Sequence, residues 1–266
     1  MNKPAFTAAF LITVSLFLIQ QAVAKPSMET ALVTRVIDGD TLEIEGGSNI
    51  RILGINTPEK KQFLYGNASD FLKRLVDGKN VTLEKDIVET DKYGRRLRYV
   101  FIGGAFVEEE ILKRGLANSF IIPPNEKYSA KLREAEEYAR ENKIGLWKTD
   151  ENYAGCISIS DFNWDAIGND NENLNGEFVY LKNNCNMAIN MADWTLKNSG
   201  TKIYKFGKFF LAPEQSVKIR SGCGSDSGAE LFWCGKKAIW NNNGDALYLR
   251  DSQGLLVLSE SYAGKN

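Results

Sequence analysis

Apolar and polar positions along the chain change rhythm twice. Residues 5–19 form a nearly unbroken apolar run. Between about residue 28 and residue 150, short strand-like runs alternate with helix-spaced stripes. Residues 31–37, 41–44, 50–55 and 81–87 read as strands, and Leu97, Tyr99 and Phe101 alternate with Arg96 and Arg98 at the two-residue strand period. Ala68, Phe71, Leu72, Leu75 and Val76 recur at helical spacing, with Asn67 as the expected N-cap. Val107 and Ile111 begin a second helix that Gly115 stops. Tyr128, Leu132, Ala135 and Ala139 line a third, with charges on its other face. These stripes are core faces first.

After a short polar joint at residues 150–155 the helical period disappears. Asn becomes frequent, and short alternating runs are separated by Gly, Asn and Asp. Strands are expected at residues 157–162, 178–182, 194–197, 209–211, 216–219, 246–250 and 255–258. About seven strands in about 105 residues is the pattern of a β-sandwich.

Composition narrows the chemistry. The chain has 266 residues, a net charge of −1 and no histidine. A Ser-His-Asp triad, a Cys-His pair and the common His-bearing zinc sites are excluded. Residues 25–150 carry 21 basic and 21 acidic side chains, so any surface for a polyanion is local. Lys92, Arg95, Arg96 and Arg98 supply one candidate. Lys3, the apolar run and Ala22-Val23-Ala24 read as a secretory leader, residues 1–24, with the mature chain beginning at Lys25. That run is shorter than the ~20 residues that span a bilayer, and no other span is evident.

All four cysteines, Cys156, Cys185, Cys223 and Cys234, lie in the second half. Downstream of an export signal an even number reads as disulfides. Reduced thiols and a four-thiolate zinc site are the alternatives, the latter weakened by the lack of a C-x-x-C pair. Of three connectivities, Cys156–Cys185 with Cys223–Cys234 is preferred, because the second closes a glycine-rich loop and the first ties the start of the domain to a strand end. The acidic-amide run 165–173 could hold calcium through oxygens, but it lacks the EF-hand spacing and reads as a polar loop.

Three stretches concentrate the reactive side chains. They are Val36-Ile37-Asp38-Gly39-Asp40-Thr41, Arg51-Ile52-Leu53-Gly54-Ile55-Asn56-Thr57-Pro58-Glu59 and Thr90-Asp91-Lys92-Tyr93-Gly94-Arg95-Arg96-Leu97. Asp-Gly between apolar runs is a hairpin signal, yet two acids flanking a glycine also set oxygens around one point, as calcium requires. Arg51 sits inside an apolar run, where a guanidinium needs an anion. That anion is an internal Asp40 or Glu59, or a bound phosphate that the planar fork matches. Arg95, after Tyr93-Gly94 at a turn between two strand-like runs, reads on its own as a solvated loop charge.

In this order the stretches resemble the staphylococcal nuclease (thermonuclease) family over roughly residues 30–149. The resemblance implies an OB-fold five-stranded β-barrel with three helices. It further implies Arg51, Glu59 and Arg95 as catalytic residues, and Lys92 and Tyr93 as substrate-phosphate contacts. One calcium ion is implied, held by Asp40, the Thr41 backbone carbonyl and Asn56. Three features depart from the family. Asn56 stands where a second calcium-ligating aspartate is usual, which implies weak metal affinity. Residues 60–64 are shorter than the family's lysine-bearing loop. Ile121 and Pro123 align with tyrosines that pack on base and sugar.

Gly176-Glu177-Phe178-Val179-Tyr180-Leu181-Lys182-Asn183, Met191-Ala192-Asp193-Trp194-Thr195-Leu196, Phe210-Leu211-Ala212-Pro213 and residues 239–249 resemble the lamin tail domain, an immunoglobulin-like sandwich. Its anchors are packing and turn residues, so no ligand or partner follows for it. The expected organisation is therefore a leader at 1–24, a thermonuclease-like α+β domain at 28–150 and an all-β sandwich at 156–263. The expected protein is an exported calcium-dependent nuclease acting on DNA and RNA with little sequence preference and leaving 3′ phosphates. The alternatives are a non-catalytic nucleic-acid or protein-binding module on a degenerate nuclease fold, and an envelope-associated structural protein.

Overall fold

A computed structural model describes residues 28–264. The expected leader lies outside the described residues. In the first half the elements are β1 (Met28–Val36), β2 (Thr41–Ile44), β3 (Ser48–Ile52), β4 (Gly54–Asn56), α1 (Tyr65–Val76), β5 (Asn80–Glu84), β6 (Arg96–Ile102), β7 (Ala105–Phe106), α2 (Val107–Lys113), β8 (Asn118–Phe120) and α3 (Ser129–Glu141). Strands β3, β2, β1, β5 and β6 pair in that order, antiparallel throughout. Parallel pairing of β3 with β6 then closes a five-stranded barrel. Val33, Leu42, Ile50, Ile52, Leu83 and Val100 fill it, each fully buried.

The apolar run at residues 50–55 is two strands rather than one. At Gly54 the chain takes φ +74°, and a Cβ there would overlap Leu132 of α3. The turn hands the chain from β3 to β4, which pairs with β8. Helix α1 begins earlier than its stripe indicates: Leu64, in the left-handed conformation, is its N-cap, and Asn67 lies inside the helix. The stripe itself is confirmed, with Ala68, Leu72 and Val76 buried against the barrel.

The second half holds β9 (Ile157–Asn163), β10 (Phe178–Asn183), β11 (Ile189–Asn190), β12 (Thr195–Asn198), β13 (Ile203–Lys205), β14 (Phe210–Leu211), β15 (Ser216–Arg220), β16 (Glu230–Phe232), β17 (Gly244–Arg250) and β18 (Leu256–Ala263). One sheet runs β16-β15-β10-β9, the other β13-β12-β17-β18, and β11 pairs with β14 in a short ribbon. Val179, Leu181, Leu196, Val217, Leu247 and Trp194 meet between the sheets. The three strands that the pattern missed, β11, β13 and β16, are two or three residues long, too short to display a period of two. Disulfides join Cys156 to Cys185 and Cys223 to Cys234.

The polar joint is not a loose tether. A small apolar cluster crosses it: Ala139 and Trp147 from the first half, with Ala246, Tyr248 and Leu256 from the second. Trp147 meets Tyr248 edge to face at 5.6 Å. The Leu256 amide donates to the Lys148 carbonyl at 2.9 Å, the Asp150 amide donates back to Leu256 at 3.0 Å, and Arg250 donates to the Leu146 carbonyl. These bonds dock the sandwich on the last turn of the barrel domain.

Two measurements check this packing. Glu108 is fully buried on α2; one carboxyl oxygen accepts the Val100 amide at 3.0 Å and the other lacks a partner among the described residues. Burial raises its pKa well above the ordinary 4.5. A folded state that prefers the protonated acid keeps that stability in full below 4.5 and loses it as pH rises toward the raised value. The urea midpoint should therefore fall with rising pH, and Glu108→Gln should flatten that fall. Parallel pH profiles for the two proteins would contradict it. Reducing the disulfides should destabilise the sandwich by about 2–4 kcal/mol per bridge, read as a lower denaturation midpoint for its tryptophan fluorescence.

Candidate active site

Strand alternation places the central arginine. Ile50 and Ile52 point into the barrel, so Arg51 must point out, at the strand end beside the Asp38-Gly39-Asp40 turn. Its Nε lies 3.2 Å from Asp40 Oδ1, Nη2 lies 3.4 Å from Asn56 Oδ1, and Nη1 donates to the Ile52 carbonyl. Asp40 is itself anchored, its other oxygen accepting the Thr57 amide at 2.8 Å and the Thr57 hydroxyl at 3.0 Å. Burial, then the neighbouring Asp40 carboxylate, raises the pKa of Asp38. Two carboxylates thus crowd one edge of the site.

Arg95 arrives from the turn before β6. Asp91 builds that turn: its Oδ1 accepts the amides of Tyr93 and Arg95, and its Oδ2 takes Arg95 Nε at 2.7 Å. Burial alone would raise the Asp91 pKa, but these bonds from Arg95 and Tyr93 hold it below its usual value. Nη1 of Arg95 reaches the Thr41 hydroxyl at 3.5 Å, and its guanidinium lies 5.5 Å from the centre of the Tyr93 ring. Lys92 and Tyr93 are exposed at the rim, Tyr93 to 72 %.

One cavity of about 610 Å³ is lined by Asp40, Arg51, Asn56, Glu59, Lys92, Tyr93 and Arg95. Glu59 is exposed, and its carboxylate has no hydrogen bond or ion pair among the described residues; only its backbone is engaged, with Gln62. Thr41 does not line the cavity. It is 3 % exposed, its hydroxyl contacts Asp40, and its carbonyl accepts the amides of Ile37 and Asp38, which closes the β1–β2 turn. Thr57 donates to Asp40 from its amide and its hydroxyl, and its own carbonyl accepts no hydrogen bond among the described residues.

Asn56 is used in an unexpected way. Its amide nitrogen donates to the carbonyls of Ser199 at 3.4 Å and Gly200 at 3.2 Å, on the loop between β12 and β13 of the sandwich. Thr201 from that loop lines the cavity. The local basic patch is smaller than the sequence indicates. Arg96 pairs with Glu29, and Arg98 is buried between Glu29 and Glu89. Of that group, Arg95 and Lys92 face the cavity. The 165–173 run closes on itself, with Asp170 accepting the Ala166 amide and Asn242 bridging Asp165 and Asp170.

Sequence reading missed Asp91, Thr57 and the 199–201 loop. The first had a signal, an acid four residues before Arg95 across a Gly turn. Thr57 had one in its place directly after Asn56. The loop had none, since it lies more than 140 residues from Asn56.

A closed five-stranded barrel with two arginines, acids and an exposed glutamate in one cavity is the architecture of a nuclease-type barrel domain. Comparison with known sequences agrees. The model for the family described as "Staphylococcal nuclease homologue" matches residues 49–149, and that for the Lamin Tail Domain matches residues 150–264. The thermonuclease of Staphylococcus hyicus is 38% identical over 128 residues, 45% of this chain and 76% of that protein. The thermonuclease of Staphylococcus intermedius is 36% identical over 129 residues, 45% of this chain and 77% of that protein. The SPbeta prophage-derived endonuclease YokF of Bacillus subtilis is 37% identical over 139 residues, 46% of this chain and 47% of that protein. The chain belongs to the staphylococcal nuclease homologue family and carries a lamin tail domain after the nuclease barrel.

Asn56→Asp tests the contact with the sandwich. The change removes the two donors and turns a carboxylate toward two carbonyls. It should cost about 1–3 kcal/mol, measured by urea unfolding in chelator. An unchanged midpoint would show that the contact carries no stability.

Proposed function

We propose that the protein is an exported, calcium-dependent nuclease that hydrolyses phosphodiester bonds of DNA and RNA with little sequence preference and leaves 3′ phosphates. The observation that carries this reading is the convergence of Arg51, Arg95 and an unpaired Glu59 on one cavity. Two guanidiniums on one cavity suit a phosphate, and both are held by carboxylates before any substrate arrives. Such preorganised donors act most strongly where charge grows on phosphorus. Glu59, exposed and with no ion pair among the described residues, orients or deprotonates the attacking water. Lys92 and Tyr93, at the rim, hold a flanking phosphate.

The donors fit a calcium ion in kind. Asp38 and Asp40 crowd their carboxylates together; burial and then the Asp40 charge raise the pKa of Asp38, and a cation would relieve the second of these. Among the described residues no three carboxylates gather at one point, so carbonyl and water oxygens would complete the shell, as calcium accepts. Asp40 and the Thr57 carbonyl would hold it. The role first assigned to Thr41 passes to Thr57 because the Thr41 carbonyl is spent in the turn. Asn56 contributes no charge, which keeps the affinity low. When bound, the ion supplies positive charge to a phosphate oxygen.

Two disulfides fit an oxidising compartment outside the cytoplasm. No described helix is long and apolar enough to cross a membrane.

Plasmid digestion with calcium and with chelator, comparing the native chain with Glu59→Gln, tests the reading. Degradation that needs calcium and is lost in Glu59→Gln supports it. A native chain that binds nucleic acid but never cleaves it supports the degenerate-module alternative. Arg51→Ala and Arg95→Ala should each lower turnover by at least ~10²-fold. Near-normal kcat in either variant removes that arginine from the mechanism.

A further inference from the structure

A second cavity, of about 720 Å³, lies between the two domains. Its walls come from the 58–63 segment of the barrel and from β12, β13 and the β17–β18 turn of the sandwich. Five cations line it: Lys60, Lys61, Lys197, Lys205 and Arg250. The acids on its walls are Asp193 and Asp251. Asp193 is paired with Lys205 at 2.7 Å. Asp251 accepts the amides of Gln253 and Leu255. Arg250 is spent on the carbonyls of Leu146 and Gly254. The remaining three, Lys60, Lys61 and Lys197, have no hydrogen bond or ion pair for their ammonium groups among the described residues.

Lys197 is the unusual member. It is partly buried on β12, and its pKa is pushed down to about 8 by burial and by Arg250, against the pull of Glu59 and Asp40. Its ammonium makes no ion pair among the described residues, so a bound anion would relieve the cost of holding this charge partly buried.

The cleft adjoins the active-site cavity. Glu59 lines the first, while its neighbours Pro58 and Lys60 line the second. Asn56 lines the first, and its cross-strand partner Asn118 the second. The junction is closely packed at one point: the turn at Gly254 sits on the Phe63 ring, where φ is +85° and a Cβ would overlap the ring. A strand leaving the phosphate at Arg51 and Arg95 therefore has a basic channel ahead of it, walled by the sandwich.

We propose that this inter-domain cleft is a second phosphate subsite, in which Lys197 of the sandwich and Lys60 and Lys61 of the barrel bind backbone phosphates of a single-stranded polynucleotide beyond the scissile bond. The lamin tail domain is then part of the substrate path. This inference rests on the nuclease reading above.

The test uses the full chain and fluorescently labelled 12-nucleotide single strands, one DNA and one RNA. Binding is read by anisotropy in chelator, from 50 to 200 mM salt, and calcium-dependent cleavage of a dinucleotide is measured separately. The variants are Lys197→Gln, the double change Lys60→Gln with Lys61→Gln on an exposed loop, and Lys236→Gln as an exposed lysine outside the cleft. The cleft variants should weaken 12-nucleotide binding by about tenfold. Each lysine removed should make the salt slope shallower by about 0.7, while Lys236→Gln stays near the native chain. If native protein binds and cleaves but both cleft variants behave like Lys236→Gln, the subsite is wrong and the nuclease stands. A native chain that neither binds the strands nor cleaves the dinucleotide brings down the nuclease reading, and this inference with it. The double variant keeps the test decisive if Lys197→Gln does not fold.

Discussion

The site depends on one pairing, the parallel contact of β3 with β6. It joins Arg51 to Leu97 in register across 46 residues of chain and closes the barrel. Without it the β3 end and the turn before β6 have no reason to meet, and the two arginines would belong to separate surfaces. Loop closure over that distance carries an entropic cost. Burial of Ile50, Ile52, Val100 and their neighbours offsets it. The charged groups of the cavity are thus held by apolar packing on the opposite face of the same strands.

Each guanidinium is fixed by an acid that belongs to its own turn or to the adjacent one. Asp40 holds Arg51, Asp91 holds Arg95, and Thr57 in turn holds Asp40. This layered arrangement spends charge to gain orientation, because a buried or half-buried guanidinium without an anion is costly. Glu59 is the exception. It lines the cavity with no ion pair among the described residues, and Lys197 of the sandwich feels its charge.

The sandwich is built into this arrangement rather than appended to it. Trp147, Tyr248 and Leu256 seal the base of the contact, and Ser199 and Gly200 reach Asn56 at the site. An amide at position 56 suits that contact, since it can accept from Arg51 with its oxygen and donate to two carbonyls with its nitrogen. A carboxylate could do only the first. The departure from aspartate that looks like a loss for metal binding is, in this structure, a match to the neighbouring domain.

Much was legible in the chain itself. The stripe on α1, the alternation around Arg51 and the turn at Tyr93-Gly94 are local patterns, and local patterns report periodicity and turn chemistry directly. The motifs around Arg51, Glu59 and Arg95 carried the family, and the cysteine count carried the bridges. Tertiary structure decided the partners. Thr41 and Thr57 are equivalent as residues, and only the turn that takes one carbonyl and leaves the other separates them. Arg96 and Arg98 read as a basic patch until Glu29, nearly 70 residues earlier, is seen to neutralise them. The contact of Asn56 with Ser199 and Gly200, and the basic cleft beside it, could not be read in advance. They depend on how two domains dock, and that is set by surface complementarity across the whole chain, which no periodicity records.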